Sequence, residues 1–386
     1  MIRMLTAFTE EIDDPAAAVA EITEQLDLEH RLLRNAAGII QCYPEFLESG
    51  VVRAICDVLP FDVVGCTTLC TAVPGSAGLF QLTLTVLTSD DVAFAAGASE
   101  STAESLDGPV DGLHADLLAT LPEKPSLYIL FHPHFSTYTS NELVVKLSSL
   151  AGNVPFFGMR AIDDTLDRTA ACIICNGGRK ENSIALLAVS GNVEPVFLMK
   201  NAATASILSD GAVITAADGN LLKAVNDMPA PEYFKGLGLV RDGELQGKEA
   251  LTFVVDSSDG LPPICRLYLD STAGGDILCG GIMPVGATFR CATIDPAFVA
   301  ASTTELVAEA LPLARGKNIL LVSCAARYWT LGRNTFAEIN SMTRAMGDKG
   351  PPYSLAYSGG EIYPLRDAAG RWTNQFHNIT LTMCIL

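Results

Sequence analysis

The sequence predicts a mixed α/β protein: largely antiparallel sheets layered with helices, internally repeated, in two lobes about an approximate two-fold. Three observations carry that expectation. Period-two or continuous apolar segments alternate with segments of helical pattern. Two strands close on the same ending after a helical segment, Val63-Val64-Gly65 and Phe156-Phe157-Gly158. Strands joined by tight turns stand beside strands joined across helices, so the sheets are mixed rather than purely parallel.

The elements follow in order. Residues 1–8 read as a strand and 14–26 as a helix, with Asp13 or Asp14 as cap and Pro15 in the first turn. Residues 36–43 read as a strand, 44–59 as a helix, and 61–66 as a strand stopped at Gly65. Residues 79–88 alternate cleanly and read as a hairpin arm, with 92–96 following. The pattern returns with a strand at 127–132, a helix at 140–150 and a strand at 154–158. Residues 170–174, 183–190 and 196–200 are expected to form a meander. A third copy is expected near the end: strand 320–324, helix 335–346, strand 353–357 and strand 378–386. Met228-Pro229-Ala230-Pro231 and the glycines after it break the pattern, which sets two modules, 1–226 and 227–386.

Composition narrows the function classes. Of 386 residues, 49% are hydrophobic, enough for a large core, which excludes disorder. Lys+Arg 25 against Asp+Glu 44 gives a net charge of −19, which disfavours nucleic acid and anionic membrane surfaces. No apolar run is long enough for a spanning helix, and Glu10 and Glu11 cut short any secretory signal. The eleven cysteines are scattered through apolar segments, as expected of reduced thiols in a cytoplasmic protein.

Chemistry concentrates near the C-terminus. Arg327, Glu338 and Glu361 are charges inside apolar elements, and a buried charge needs a partner. Two compatible readings follow: a polar pocket in which Arg327 clamps a carboxylate, or an ion pair that orders the fold. Cys324 ends an apolar strand and is a candidate thiol nucleophile, although no base stands at a recognisable spacing. His132 and His134 flank Pro133 and project together if extended; with His377 they are candidate metal or haem ligands. Cys172 and Cys175 fall in a strand pattern and face opposite sides there. Gly65-Cys66-Thr67-Thr68 lacks the lysine of a P-loop. Gly274-Gly275 and Gly280-Gly281 read as turn or close-packing glycines.

These residues together resemble the FIST family, sensory proteins named for F-box and intracellular signal transduction. The resemblance covers nearly the whole chain, with N- and C-terminal FIST modules in tandem. Phe61 to Thr68 is similar to the family's first strand-end motif, and Phe156 to Asp164 to its second. Val322 to Arg327, Glu338, Gly360-Glu361 and His377-Asn378 follow the C-terminal module in order. The chain departs in two places. Leu69-Cys70-Thr71-Ala72 stands where the family continues Ala-Gly-Glu, and Met159 and Ile162 stand where it favours Gly, which implies a more apolar pocket.

The resemblance implies a ligand-binding sensor rather than an enzyme. Its ligand would be a small metabolite, amino-acid-like or otherwise. Its signal would pass to a partner protein such as a histidine kinase or a cyclic-dinucleotide enzyme. The expected ligand-binding residues are Cys66, Thr67, Thr68, Arg160, Asp163, Cys324, Arg327, Glu338, Glu361 and Asn378. Arg327 would take a carboxylate, and Glu338 or Glu361 would orient it or receive an amine. No cofactor is required by this reading. The alternatives are a haem-binding nitric-oxide sensor acting on a histidine kinase, and a thiol-dependent enzyme using Cys324. Edge strands in a repeat make a homodimer plausible.

Overall fold

The computed structural model describes residues 1–386 except 135, 166–167, 204–205, 242–243, 246–250, 259, 348 and 368; side chains at 241–250 are also left undescribed. Among the described residues the strands form three six-stranded sheets of identical connectivity, one closed barrel, and a two-stranded ribbon of Val240–Arg241 with Glu244–Leu245. In the first sheet, Arg3–Thr9 runs antiparallel to Leu82–Ser89, which is antiparallel to Asn35–Cys42. Asn35–Cys42 is parallel to Val63–Thr67. The second sheet repeats that order with Ala93–Ala98, Ala185–Ser190, Pro125–His132 and Phe156–Arg160. The third repeats it with Val196–Asn201, Thr380–Ile385, Ile319–Cys324 and Tyr353–Ser358.

Each sheet is completed by a hairpin from another repeat. Ile173–Cys175 and Gly178–Lys180, from the second repeat, extend the first sheet. Glu361–Arg366 and Trp372–His377, from the third, extend the second sheet. Thr71–Val73 and Ser76–Gly78, from the first, extend the third. The exchange is cyclic, so the expected third copy closes with the other two into a threefold repeat of connectivity rather than a two-fold one. It also dissolves the expected meander. The strands near 173, 185 and 196 enter three different sheets, because each is recruited by register with a distant strand rather than by its neighbour.

Strand alternation sorts the side chains into two layers. Ile39, Val64, Phe131, Phe157, Val322 and Ala356 share one core among the three sheets. Their neighbours Ile40, Leu130 and Leu321 face outward onto helices. Those helices are Pro15–Leu26 and Val51–Asp57 on the first sheet, Asp107–Thr120 and Ser140–Ala151 on the second, and Pro296–Ala310 and Ala337–Met346 on the third.

Local chemistry explains most of the boundaries. Asp14 caps Pro15–Leu26 by accepting from the amides of Ala16 and Ala17, and Thr139 with Glu142 forms a capping box on Ser140–Ala151. The single helix expected over 44–59 breaks into Glu45–Glu48 and Val51–Asp57, because Gly50 takes a φ of 85°. Helix Asp107–Thr120 is not foreshadowed by the pattern, since Gly108, Pro109 and Gly112 dilute its helical signal.

Between Val196–Asn201 and Pro296–Ala310 the third repeat carries the barrel. Its ring runs Ala212–Asp218, Thr288–Thr293, Leu251–Asp256, Ile264–Ser271, Ile277–Cys279 and Leu221–Val225, then back to Ala212–Asp218. Phe234, Phe253 and Phe289 fill it, ring centroids 5.0 to 6.1 Å apart. A division at 226/227 falls in the turn between Leu221–Val225 and Met228–Pro229, which pair with each other. No helix of the described residues is long and apolar enough to cross a membrane.

Candidate functional site

The parallel strand pairs end close together, and their carboxyl ends are tied by backbone bonds between repeats. The amide of Ile162 donates to the Thr67 carbonyl at 3.2 Å, and that of Arg160 to the Gly360 carbonyl at 2.9 Å. Thr68 Oγ1 donates to the Tyr357 carbonyl at 2.6 Å. Such strand ends, where loops from different units diverge, are a recurrent place for a ligand crevice.

A cleft of about 760 Å³ opens there between the second repeat, the third repeat and the barrel. His134 and Arg160 come from the second repeat, Cys324, Ser358 and Gly359 from the third, and Asn220, Asp270, Gly280 and Gly281 from the barrel. Leu267, Leu278 and Trp329 supply apolar wall. The volume suits a small-molecule ligand.

Arg160 is the central charge. It ends strand Phe156–Arg160, and its Nη2 donates to the Gly359 carbonyl. Its guanidinium lies over the Phe376 ring, 5.3 Å from the centroid, and its Nε is buried without a hydrogen-bond partner. Burial pulls its pKa down to about 10, which leaves it charged at neutral pH. The exchanged hairpin brings Glu361 into the same sheet, opposite Met159. Burial raises the Glu361 carboxyl to about 7, against hydrogen bonds from Ser358 Oγ at 2.6 Å and from Thr380 Oγ1 at 2.5 Å. Cys324 lines the cleft beside Glu361; burial, then that carboxylate, pushes its thiol well up, so it is a neutral thiol at pH 7.

His132, His134 and His377 are neutral as well. Burial, then Arg160, lowers His132 and His134 to about 3, and burial with Arg266 does the same to His377. Of the three, His134 lines the cleft, with Nδ1 3.0 Å from the Ala161 carbonyl. His132 and His377 lie in the interior, 1% and 0% exposed. Among the described residues, no group of three or more His, Cys, Asp or Glu is arranged to hold a metal ion. The charges on the cleft wall are therefore Arg160 and Arg168 against Glu142 and Asp270.

The other residues expected at the site take different places. Arg327 and Glu338 pair with each other in the interior and do not line the cleft. Thr67 and Thr68 bolt repeats together; Thr67 Oγ1 accepts from the Cys172 amide at 3.0 Å. Cys66 packs in the shared core. Asp163 is fully buried, accepts from the Thr165 amide at 2.7 Å, and through its carbonyl takes Arg168 Nη1 at 3.1 Å. Asn378 sits directly behind the cleft: a methyl on wall residue Gly280 would lie 2.6 Å from its Oδ1, and both its amide atoms are buried without a hydrogen bond. The barrel side of the cleft was not foreseen. The one signal for it is the Gly280-Gly281 pair, which keeps that wall thin over Asn378 and Arg266.

A family model for the FIST N domain matches residues 36–228, and one for the FIST C domain matches residues 230–364. FIST domains are associated with sensing small ligands in signal transduction. No curated protein matches the chain.

Proposed function

The chain belongs to the FIST family, and from that premise we propose that it senses a small carboxylate-bearing metabolite in the cleft between its second repeat, third repeat and barrel. The observation that supports this most is Arg160, a charged guanidinium on the cleft wall whose Nη2 is held by the Gly359 carbonyl rather than by a carboxylate. A guanidinium held by a neutral carbonyl in a low-dielectric wall gains most from a charged acceptor. A carboxylate would lie against Arg160, and an amine, where the ligand carries one, toward Asp270 or Glu142. Cys324, as a neutral thiol, would pack against the ligand rather than attack it, so the chain acts as a binder. Its output would pass to a partner such as a histidine kinase or a cyclic-dinucleotide enzyme, by differential ligand affinity for two arrangements of the cleft walls.

Thermal-shift screening of amino and other carboxylic acids tests the reading, with wild type beside Arg160→Ala and Arg160→Lys. A ligand at a hundred times its Kd adds ~2.7 kcal/mol of stability. That gain is expected in wild type, reduced in the lysine variant and lost in the alanine variant. A ligand that stabilises all three equally places the site elsewhere.

Haem is the second occupant to be scored in the same preparation. His134 lines the cleft, and Leu267, Leu278 and Trp329 offer an apolar wall to a flat ring. A Soret band that disappears in His134→Ala would favour haem over the carboxylate.

A further inference from the structure

A second groove, of about 910 Å³, opens at the opposite end of the third sheet. Asn318, before Ile319–Cys324, and Pro352, before Tyr353–Ser358, line it, whereas Cys324 and Ser358 at the far ends of those strands line the cleft. Six residues of strand, ~20 Å, separate the two openings.

The groove inverts the charge character of the chain. Acids outnumber bases 44 to 25 overall, yet Arg3, Arg315, Lys317 and Lys349 line this groove, and none of its described lining residues is Asp or Glu. None of the four is in an ion pair among the described residues. Elsewhere on the surface lysines do find acids: Lys146 pairs with Asp107 and Asp111, and Lys200 with Glu305 and Glu309. Leu311 and Met346 give the groove an apolar floor.

We propose that this groove docks an acidic segment of a partner protein, anchored by an apolar side chain. Four cations without an ion pair among the described residues attract carboxylates and speed encounter, while an apolar anchor supplies buried area. The acidic remainder of the surface repels the same segment and so confines it to the groove. The proposal does not depend on which ligand fills the cleft, and a partner seated here leaves the cleft open.

Selection of a random-peptide phage library on the full chain, with counter-selection on the Arg315→Glu, Lys317→Glu double variant, reads the chemistry directly. The variant is first matched to wild type in thermal midpoint. Enriched peptides are expected to carry several Asp or Glu around a large apolar residue. Their labelled synthetic forms should bind wild type saturably by fluorescence anisotropy, lose about tenfold or more in affinity on the variant, and weaken with added salt. No enrichment, enrichment without acidic bias, or equal binding to both proteins overturns the proposal. So does binding of phosphatidylserine vesicles through Arg315 and Lys317 in place of the peptides.

Discussion

Arg327 Nη2 stands 2.6 Å from Glu338 Oε1, and its Nε 2.9 Å from the same oxygen, with both side chains fully enclosed. The pair is held by its neighbours, with Arg327 Nη1 alone of the guanidinium nitrogens buried without a hydrogen-bond partner. Ser323 Oγ and Tyr357 Oη donate to Glu338 Oε2 at 2.8 and 2.9 Å, and Arg327 Nη2 also reaches the Val299 carbonyl and Thr303 Oγ1. It joins helix Ala337–Met346 to helix Pro296–Ala310 and to the strand pair beneath them. Glu338→Ala is therefore expected to destabilise the protein by ~3–5 kcal/mol, because it leaves a buried guanidinium without its counter-charge. A double change, Arg327→Met with Glu338→Leu, should recover much of that loss. Urea denaturation of the three proteins checks both statements. Equal loss in single and double variants would contradict the charge argument.

Glu361 predicts a pH dependence. Its folded pKa, about 7, lies above the ordinary 4.5, so the folded state binds the proton more tightly than the unfolded chain. Its contribution is full below pH 4.5 and is lost as pH rises through 7, a change of about 3 kcal/mol. Glu361→Gln should remove that decline between pH 4.5 and 7. Midpoints measured across this range on both proteins decide it; parallel curves would place the titration elsewhere.

The hairpin exchange predicts that the N-terminal part does not fold alone. A fragment ending at residue 228 lacks Glu361–Arg366 and Trp372–His377 from the second sheet, and leaves Val196–Asn201 without Thr380–Ile385. Exposed apolar strand edges follow. The fragment should aggregate or bind a hydrophobic dye, and co-expression with residues 229–386 should rescue it. A cooperative melt of the isolated fragment would refute the interlock.

Two glycines separate close packing from loose geometry. A methyl on Gly65 would overlap the carbonyl of Ile40 on the adjacent parallel strand, so Gly65→Ala should cost ~3 kcal/mol or more. A methyl on Gly112, in helix Asp107–Thr120, meets nothing within 4 Å. Gly112→Ala should stabilise by ~0.5–1 kcal/mol, as read from thermal midpoints.

A good part of this was legible in the residues. The two glycine-marked strands are recognisable because Gly65 and Gly158 each lie too close to a neighbouring strand carbonyl to carry a side chain, but neither glycine stops its strand: Val63–Thr67 and Phe156–Arg160 each run two residues past it. The three motif regions around Thr68, Arg160 and Gly360 do meet, since they sit at equivalent strand ends. Their division of labour was not legible. Arg327 and Arg160 look alike in sequence, each at or just past a strand end; one finds Glu338 eleven residues on, while the other finds a glycine carbonyl and an open wall.

The sequence by itself determined the class of protein, because apolar periodicity and helix caps act over a few residues and need no partner to be read. Tertiary structure alone decided that the three copies close in a cycle, that hairpins change sheets, and that the barrel forms one wall of the cleft. Those outcomes depend on register between strands hundreds of residues apart, such as Thr71 against Ala356, and short-range pattern carries no information about such pairings.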